Sequence, residues 1–317
     1  SAQARVCALV DGTRPLSPST GSRGRMMMLN TLTTPEPTTA VITGAARGLG
    51  PAIAQRLAET LGGGARVVVT ARGLGEASAT ASRLHALGIC SVEAYDTPLD
   101  VTDAHSIASF ARFADDDLRG IDLLVNNAAI CEPGWDEALV RRTLQTNVIG
   151  PLALSHVALP GMLRKRRGHI LHVSSGDGEL LYLQPQLQTD LQTATTRRAV
   201  LRTLLRAAPP RNAFGVAPAH SPTPAYSMSK AALNALTRVT AAELPEHSGV
   251  RISAVCPGDV LTRMCVDDDA RMEAKEPTDA AIDVAWLALA GLGFVPQDDH
   301  STLPSGKFWR ARAQIPF

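Results

Sequence analysis

The chain has 317 residues, of which 45% are hydrophobic and 19% are charged, and its formal net charge is +1. This composition is typical of a water-soluble protein, and the length allows one large α/β core or two small ones. The near-zero charge gives no sign of a nucleic-acid-binding surface, and no stretch of about 18 apolar residues predicts a membrane span. Five cysteines without C-x-x-C spacing indicate reduced thiols rather than a disulfide framework or a metal site.

The first 35 residues differ in composition from the rest of the chain. They are rich in Ser, Thr, Pro, Gly and Arg, and Asp11 is the only acidic residue before Glu36. Because no hydrophobic periodicity holds there, residues 1–35 are predicted to be a disordered tail. Two alternatives stay open: an Arg- and Ser-rich organellar transit peptide, or a non-native leader that ends near Met26. The expected location is the cytoplasm, or an organelle stroma or matrix if the segment is a transit peptide.

From Thr39 onward, short β-rich apolar runs alternate with longer amphipathic stretches. The runs predicted as strands are Ala40–Thr43, Arg66–Thr70, Ile121–Val125, His169–Val173 and Val250–Val255. The stretches predicted as helices lie near residues 49–61, 75–87, 103–118, 136–164 and 225–244. This alternation predicts an α/β fold with a doubly wound parallel sheet, helices on both faces and a binding crevice at the carboxyl ends of the strands. Residues 36–317 are therefore predicted to form a single domain.

A glycine-rich turn with the sequence TGAARGLG follows the first predicted strand. Gly44, Gly48 and Gly50 let the backbone approach a pyrophosphate closely, and the helix that starts near Leu49 offers free N–H groups. In this strand–turn–helix context, the turn is predicted to bind a dinucleotide. The spacing is G-x-x-x-G-x-G, and it resembles the fingerprint T-G-x-x-x-G-I/L-G of the short-chain dehydrogenase/reductase family, which implies a fold of the Rossmann type.

The end of the second strand indicates which nucleotide binds. Enzymes that use NAD usually place an acid here to bind the ribose 2′-hydroxyl. This strand ends in Arg72 instead, and the nearest acid, Glu76, lies in the next helix. Arg47 stands in the glycine turn, and two guanidinium groups that converge on one point suit a 2′-phosphate. The predicted cofactor is therefore NADPH rather than NADH.

Two further motifs of the resembled family follow the third and fourth strands. In the motif LDVTD, the resemblance places Asp100 beside the adenine, with Val101 next to it, whereas Asp103 is an expected N-cap for the following helix. The family motif N-N-A-G is NNAA in this chain. The resemblance gives this motif, with Asn126 and Ala128, a mainly structural role and places its backbone near the adenine ribose.

One predicted helix carries Tyr226 and Lys230 four residues apart, which places both side chains on one helical face. An ammonium beside a phenol is expected to lower the pKa of the phenol, and such a tyrosine can give a proton to a carbonyl oxygen. A lone Tyr-x-x-x-Lys pair also occurs on many surface helices, so the pair gains weight from the other motifs. The resemblance implies that Lys230 also binds the nicotinamide ribose.

The resemblance adds two more residues to this candidate site. Ser175, at the end of the fifth strand, is expected to supply the hydroxyl that polarises the substrate carbonyl, with Ser174 as the alternative. Asn147 is expected to bind a water that passes protons to Lys230. His172 stands where the family often has Asn, and it is expected to be a partly buried, hydrogen-bonded side chain rather than a catalyst.

Fifty residues, 176–225, separate Ser175 from Tyr226, far more than in most members of the family. The helical spacing of the leucines predicts one helix from about Leu187 to Ala207, within a helical insert at about 178–222 that ends in a proline-rich loop. A long insert here resembles the carbonyl reductase branch of the family. In that branch the insert covers the helix face used for tetramer contacts, so a monomer is expected.

The chain after the Tyr226 helix continues the family pattern with the sequence AVCPGDVLT. Pro257 and Gly258 form the turn after the sixth strand. The resemblance assigns the backbone of Val260 to the nicotinamide carboxamide and Thr262 to the phosphates. Polar residues 263–277 are expected to form the substrate loop. A last helix over Thr278–Leu292 and a last strand over Ser305–Trp309 complete the predicted elements.

Together these residues predict the reduction of an aldehyde or ketone by NADPH. Ser175 and Tyr226 are expected to stabilise the developing alkoxide, and Tyr226 to supply the proton. Two alternatives stay open. One is an NADP-binding sensor or scaffold without reductase activity, and the other is an NADP-dependent alcohol or steroid dehydrogenase that runs in the opposite direction. The expected partner is a small-molecule carbonyl substrate, with no nucleic acid, membrane or metal.

Overall fold

The computed structural model describes residues 37–89, 91–209, 221–264, 272–294 and 303–316. Outside these ranges lie residues 1–35, the centre of the proline-rich loop, and residues 265–271 of the expected substrate loop. The strands are β1 Thr38–Ile42, β2 Ala65–Val69, β3 Val92–Ala94, β4 Leu123–Asn126, β5 Gly168–Val173, β6 Val250–Cys256, β7 Lys307–Arg310 and β8 Ala313–Ile315. The helices are α1 Leu49–Leu61, α2 Glu76–Ala86, α3 Ala104–Asp116, α4 Glu137–Leu144, α5 Gly150–Lys165, α6 Pro185–Thr193, α7 Arg197–Ala207, α8 Pro224–Ala242 and α9 Pro277–Gly291.

The strands form one eight-stranded sheet in the order β3-β2-β1-β4-β5-β6-β7-β8. All neighbouring pairs from β3 to β7 are parallel, and β8 runs antiparallel to β7. Each predicted strand lies within two residues of an observed one, so the predicted doubly wound sheet is confirmed. Because β1 has β2 on one side and β4 on the other, the strand order reverses there, and ligands bind in the crevice that such a reversal opens.

Helices cover both faces of the sheet. On one face, Leu57 of α1 and Leu287 of α9 are fully or almost fully buried against strand residues such as Val67. On the other face, Phe110 of α3 and Met162 of α5 pack in the same way. β1 is buried at all five positions, as expected for a central strand between two helical layers. Within the described part of the chain, no helix combines the length and the apolar character that crossing a bilayer requires.

Two predicted helices are interrupted. The helix predicted over 136–164 is divided into α4 and α5 by a π-helical turn, Gln145–Ile149. The single helix predicted from Leu187 to Ala207 is wrong, because the insert holds two helices, α6 and α7. The break has no glycine or proline. Instead, Thr196 starts α7 by accepting a hydrogen bond from the Ala199 N–H at 3.2 Å.

The insert packs on α8, the helix that carries Tyr226. Leu187, Leu191 and Leu204 of the insert share an apolar cluster with Met228 and Leu236 of α8, and all five are almost fully buried. The insert is therefore a second layer on the outer side of α8 and not a separate domain.

Candidate active site

The glycine turn after β1 closes against the segment that follows β4. Gly44 and Gly48 have φ angles of +65° and +66°, in the left-handed region that favours glycine. A Cβ on Gly44 would lie 2.8 Å from Cα of Ala128, and one on Gly48 would lie 3.2 Å from Cγ2 of Thr262. Asn127 donates to the carbonyl of Gly44 at 3.2 Å. The turn therefore touches both segments that the sequence assigns to the cofactor.

The amino end of α1 is open to an anion. Its N-cap is Gly48, no side chain of the described residues caps it, and its first turn holds no acidic residue. Leu49 and Gly50, which begin the helix, are buried, so the first turn is fixed against the core. Free first-turn N–H groups and the positive end of the helix dipole suit a phosphate. The closely approached turn and the uncapped helix end fit the pyrophosphate of a dinucleotide.

Arg47 and Arg72 follow two neighbouring strands, β1 and β2. Both are exposed, and within the described chain neither guanidinium has a hydrogen bond or an ion pair. Glu76, the nearest acid, accepts a hydrogen bond from the Gly73 N–H at 2.9 Å. Two cations remain available where the nucleotide ribose is expected, while the carboxylate of Glu76 is already engaged.

Other expected cofactor residues have local partners of their own. Asp100 accepts hydrogen bonds from the N–H and the hydroxyl of Thr102, at 2.8 and 2.7 Å, and Val101 is buried. Asn126 lies with its Nδ2 3.2 Å from Nδ1 of His172, and its Oδ1 has no partner among the described residues. The cofactor contacts of Asp100, Val101 and Asn126 stay predictions. His172 is hydrogen-bonded, but it is more deeply buried than expected, at 5% exposure.

Ser175, Tyr226 and Lys230 converge where β5 ends against α8. The Ser175 hydroxyl lies beside the Tyr226 phenol and favours its phenolate form. Lys230 is 3% exposed, and its Nζ donates to the carbonyl of Val173 at 2.7 Å. The same Nζ lies 5.4 Å from the centroid of the Tyr226 ring. Ser174 instead turns its hydroxyl toward the carbonyl of Lys230, at 3.5 Å, so Ser175 is the serine that faces the phenol.

Burial dominates the ionisation of this cluster. It raises the pKa of Tyr226 above its ordinary value, and it lowers the pKa of Lys230 to about 8. The expected net lowering of the pKa of Tyr226 is therefore wrong in direction, because desolvation of the phenolate is the largest influence on this pKa. A phenol with a raised pKa stays protonated at neutral pH, which is the form that donates a proton.

Asn147 joins the β4 side of the site to α8. It lies in the π-helical turn and is 1% exposed. Its Oδ1 accepts from the Ile130 N–H at 2.9 Å, and its Nδ2 donates to the Ile130 carbonyl at 2.9 Å and to Ser229 Oγ at 3.0 Å. Ser229 is the neighbour of Lys230, so Asn147 fixes the turn of α8 that presents the ammonium. Its expected part in a water relay stays a prediction.

The segment after β6 returns to the glycine turn. Gly258, with a φ of +80°, follows Pro257 and donates its N–H to Cys256 Sγ at 3.4 Å. Val260 forms an isolated parallel bridge with Lys275, and Thr262 contacts the glycine turn, as described above. The structure thus brings the two ends of the expected cofactor site to one edge of the sheet.

Comparisons with known proteins agree with this geometry. A family model described as short chain dehydrogenase matches residues 38–185 and 217–273. The chain belongs to the short-chain dehydrogenase family. It is therefore an oxidoreductase that acts on CH–OH or C=O groups.

Three similar proteins indicate the branch of the family to which the chain belongs. Carbonyl reductase (NADPH) 1 of Pongo abelii is 30% identical over 279 residues, which cover 85% of this chain and 94% of that protein. (+)-Neomenthol dehydrogenase of Arabidopsis thaliana is 31% identical over 313 residues, covering 88% and 97%. A solved metagenomic short-chain oxidoreductase in complex with NADP matches with a TM-score of 0.59 and 29% identity, covering 87% of this chain and 97% of that one. Within the short-chain dehydrogenases, the chain falls in the carbonyl reductase branch.

Two residues of this short-chain dehydrogenase site were missed by the sequence reasoning. The Cys131 thiol lies near Thr223, the residue before α8, and burial raises the pKa of Cys131 to about 11. Asp177 lies two residues past Ser175, and burial, with Asp259 nearby, raises its pKa. A signal for both was present: each closely follows a motif at the carboxyl end of a parallel strand, and such ends meet at one edge of the sheet.

Proposed function

We propose that this chain is an NADPH-dependent carbonyl reductase that converts an aldehyde or ketone to an alcohol. The observation that carries the proposal is the convergence of the Ser175 hydroxyl and the Tyr226 phenol beside the buried Lys230. A sensor or scaffold has no use for a serine–tyrosine pair that can stabilise an oxyanion. The pair is assembled across 50 intervening residues, 176–225.

The residues of the chain perform the acid–base part of the reaction. Bound NADPH supplies the hydride. The hydroxyls of Ser175 and Tyr226 hydrogen-bond the carbonyl oxygen, and these bonds strengthen as negative charge develops there. Tyr226 is protonated at neutral pH, so it gives its proton to the alkoxide. Lys230 then stabilises the phenolate that remains, because its ammonium is held close behind the ring by the Val173 carbonyl.

NADP(H) is the cofactor. The carbonyl reductase relative carries NADPH in its name, and the solved structural relative holds NADP. Gly44, Gly48 and the open end of α1 would hold the pyrophosphate, with Thr262 beside it. We assign the 2′-phosphate to Arg47 and Arg72, since both guanidinium groups are unpaired within the described residues.

The assignment of the arginines is tested by an Arg72→Asp variant. Loss of a charge-assisted hydrogen bond and the new repulsion should raise the Kd for NADPH by about 10- to 100-fold. The Kd for NADH should not rise. Titration of the protein fluorescence with each nucleotide measures both constants. Arg56→Asp, an exposed arginine of α1 that pairs with Glu59, is the matched control. Equal losses for the two nucleotides would refute the assignment.

The reductase activity is tested with a carbonyl panel. Purified full-length chain is mixed with NADPH and with aldehydes, ketones and quinones, and NADPH consumption is followed by absorbance. Consumption that depends on both protein and carbonyl is expected. Tight NADPH binding without consumption on any of these carbonyls would instead favour the sensor or scaffold.

The similarity to (+)-neomenthol dehydrogenase favours a second candidate, oxidation of a cyclic alcohol. The same residues serve this direction once Tyr226 has lost its proton, because the phenolate then accepts the proton of the alcohol. NADP⁺ reduction with alicyclic alcohols and steroids is measured beside the carbonyl panel. A larger kcat/KM for an alcohol than for every carbonyl would replace the first proposal by the second.

We also propose that the chain is a monomer. The insert packs on α8 through Leu187, Leu191 and Leu204, and so covers the helix face that other branches are expected to use for tetramers. Gel filtration should give a mass near the 33.4 kDa of the chain. A mass of about four times that value would contradict the proposal.

A further inference from the structure

Arg310 occupies an unexpected position for a residue at the far end of the chain. It is the last residue of β7 and pairs in register with Cys256, the last residue of β6. Its Nη2 donates to the carboxylate of Glu179, and its guanidinium lies near the Cys256 thiol. One side chain thus links the carboxyl end of the sheet to the loop that follows β5.

This loop begins with Ser175. The carbonyl of Ser175 accepts from the Gly178 N–H at 3.0 Å, and the carbonyl of Gly176 accepts from the Glu179 N–H at 2.9 Å. These bonds form a tight turn over residues 175–179, which we call the Ser175 turn. A Cβ on Gly176 would lie 2.6 Å from Arg310 Nη2. Arg310 therefore covers the second residue of the Ser175 turn while it binds the last.

The opposite side of the Ser175 turn rests on α8. A Cβ on Gly178 would lie 2.9 Å from the Lys230 carbonyl carbon, and Asn234 donates its Nδ2 to the Gly178 carbonyl at 3.1 Å. The turn is thus held between the helix that presents Tyr226 and the guanidinium of Arg310. Removing Arg310 would leave the turn supported from the α8 side alone.

We propose that Arg310 is a positioning residue that holds the Ser175 turn, and with it the Ser175 hydroxyl, against the Tyr226 phenol. The proposal rests on the proposed function, because only catalysis requires that the hydroxyl be placed so closely. Among the described residues, no hydrogen bond or ion pair joins Arg310 to Tyr226 or Lys230, so Arg310 acts through the turn. Its side chain is 42% exposed, so its ion pair with Glu179 contributes little to overall stability. Small displacements of a reacting group, in contrast, lower turnover strongly.

Steady-state kinetics of Arg310→Ala in the full-length chain test the proposal. We expect kcat to fall about tenfold, with the Kd for NADPH and the KM for the carbonyl changed by less than about twofold. Arg310→Lys should recover part of the loss, and Glu179→Gln should lose part of the rate. Lys307→Ala removes a cation from the other end of β7 and should leave turnover unchanged. An unchanged kcat in Arg310→Ala, or an equal loss in Lys307→Ala, would overturn the proposal.

Gly176→Ala tests the same contact from the other side. The φ angle of Gly176 lies outside the left-handed region, so alanine fits the backbone, and its methyl group meets Arg310 Nη2. Gly176→Ala should lower kcat in the wild-type background but add little to Arg310→Ala, because the contact is then already gone. Equal effects in both backgrounds would show that Gly176 acts without Arg310, and the proposal would fail.

Hydrogen–deuterium exchange separates this proposal from the proposed function. In Arg310→Ala, amides of the Ser175 turn should exchange faster than in the wild type, whereas amides of α1 should not change. If the wild type reduces no carbonyl, the proposed function has failed, and exchange still decides whether Arg310 holds the turn. Unchanged exchange in the Ser175 turn would refute the positioning role whatever the activity.

Discussion

The phenol of Tyr226 has to satisfy two opposing conditions on its ionisation. It must remain protonated until hydride reaches the carbonyl carbon, and it must then bear a negative charge in a site from which water is largely excluded. Burial meets the first condition by raising the pKa of Tyr226. The second depends on Lys230, whose ammonium lies close to the Tyr226 ring, and on the nearby Ser175 hydroxyl, which favours the phenolate. The three residues are therefore interdependent, and removing Ser175 or Tyr226 should affect the proton transfer more than the binding of nucleotide.

Tyr226→Phe isolates the proton transfer. Removing the phenolic oxygen should reduce kcat by about two to four orders of magnitude, because the general acid is lost. The Kd for NADPH should stay within about threefold of the wild-type value, since Lys230 is unchanged. Stopped-flow reduction of the best carbonyl of the panel and nucleotide titration measure the two quantities.

Tyr95→Phe is the matched control for the loss of a phenolic oxygen. The ring of Tyr95 packs against Phe110 and Phe113, with centroids 5.3 and 4.7 Å away, between the sheet and α3. This variant should keep its turnover. A Tyr226→Phe protein that reduces carbonyls as fast as Tyr95→Phe would rule out the proton-donor role.

At the scale of elements, Arg238 of the catalytic helix α8 helps to attach the insert to that helix. Nη2 of Arg238 in α8 donates to the carbonyls of Leu191, Gln192 and Ala194 at 3.0, 3.0 and 2.8 Å. These carbonyls lie at the end of α6, where a helix leaves its last C=O groups without intrahelical partners. Arg238 therefore caps α6 and fastens the insert to α8.

Arg238→Ala should weaken this attachment. Loss of the charged cap should lower the free energy of unfolding by about 1–2 kcal/mol. The cost is no larger because water can reach some of the carbonyl groups that Arg238 no longer binds. Urea unfolding measures this cost, and hydrogen exchange should rise in α6 and α7 before it rises in α1. Arg202→Ala, an exposed arginine of α7, is the control and should change neither measurement. If both variants unfold at the same urea concentration, Arg238 does not fasten the insert.

The contact between Arg238 and the carbonyls of α6 also explains why the sequence predicts one helix in the insert where the structure has two. Leucine spacing continues through residues 194–196 without a glycine or proline, so local pattern predicts one helix. The break is made by Arg238, which lies 44 residues after Ala194, and by the Thr196 cap of α7.

The sequence does not predict β8, for a related reason. Its hairpin turn uses positive φ angles at Ala311 and Arg312, +47° and +63°, where a sequence signal would need glycine or asparagine.

The sequence predicts the residues of the candidate active site better than it predicts the helix break in the insert and the β8 hairpin. Tyr226, Lys230, Ser175 and Asn147 were identified by motif and order, and the structure brings all four to the junction of β5 and α8. Motifs at the carboxyl ends of parallel strands are brought together by the fold itself. Arg310 carries no motif. Its position beside the Ser175 turn follows from the order of the strands in the sheet, which no short stretch of sequence reports.

At the scale of the whole molecule, β5 carries two histidines at the centre of the sheet. Burial lowers the pKa of His169 to about 4 and that of His172 to about 3. Both are neutral in the fold: His169 lies 3.1 Å from Ser253 Oγ through Nε2, and His172 pairs with Asn126. Between these values and an unfolded pKa of about 6.5, the unfolded chain binds more protons than the folded one. Stability should therefore fall as the pH drops below about 6.5.

Each histidine should contribute up to about 1.4 kcal/mol of lost stability per pH unit in this range. His172→Asn keeps an amide beside Asn126 and removes one of the two titrating groups, so its unfolding free energy should decline less steeply between pH 6.5 and 4. Urea unfolding at several pH values in that window measures both slopes. His105→Asn, at an exposed side chain near the start of α3, should keep the wild-type slope. Equal slopes for the wild type and His172→Asn would mean that the burial of a neutral His172 is not a source of the acid sensitivity.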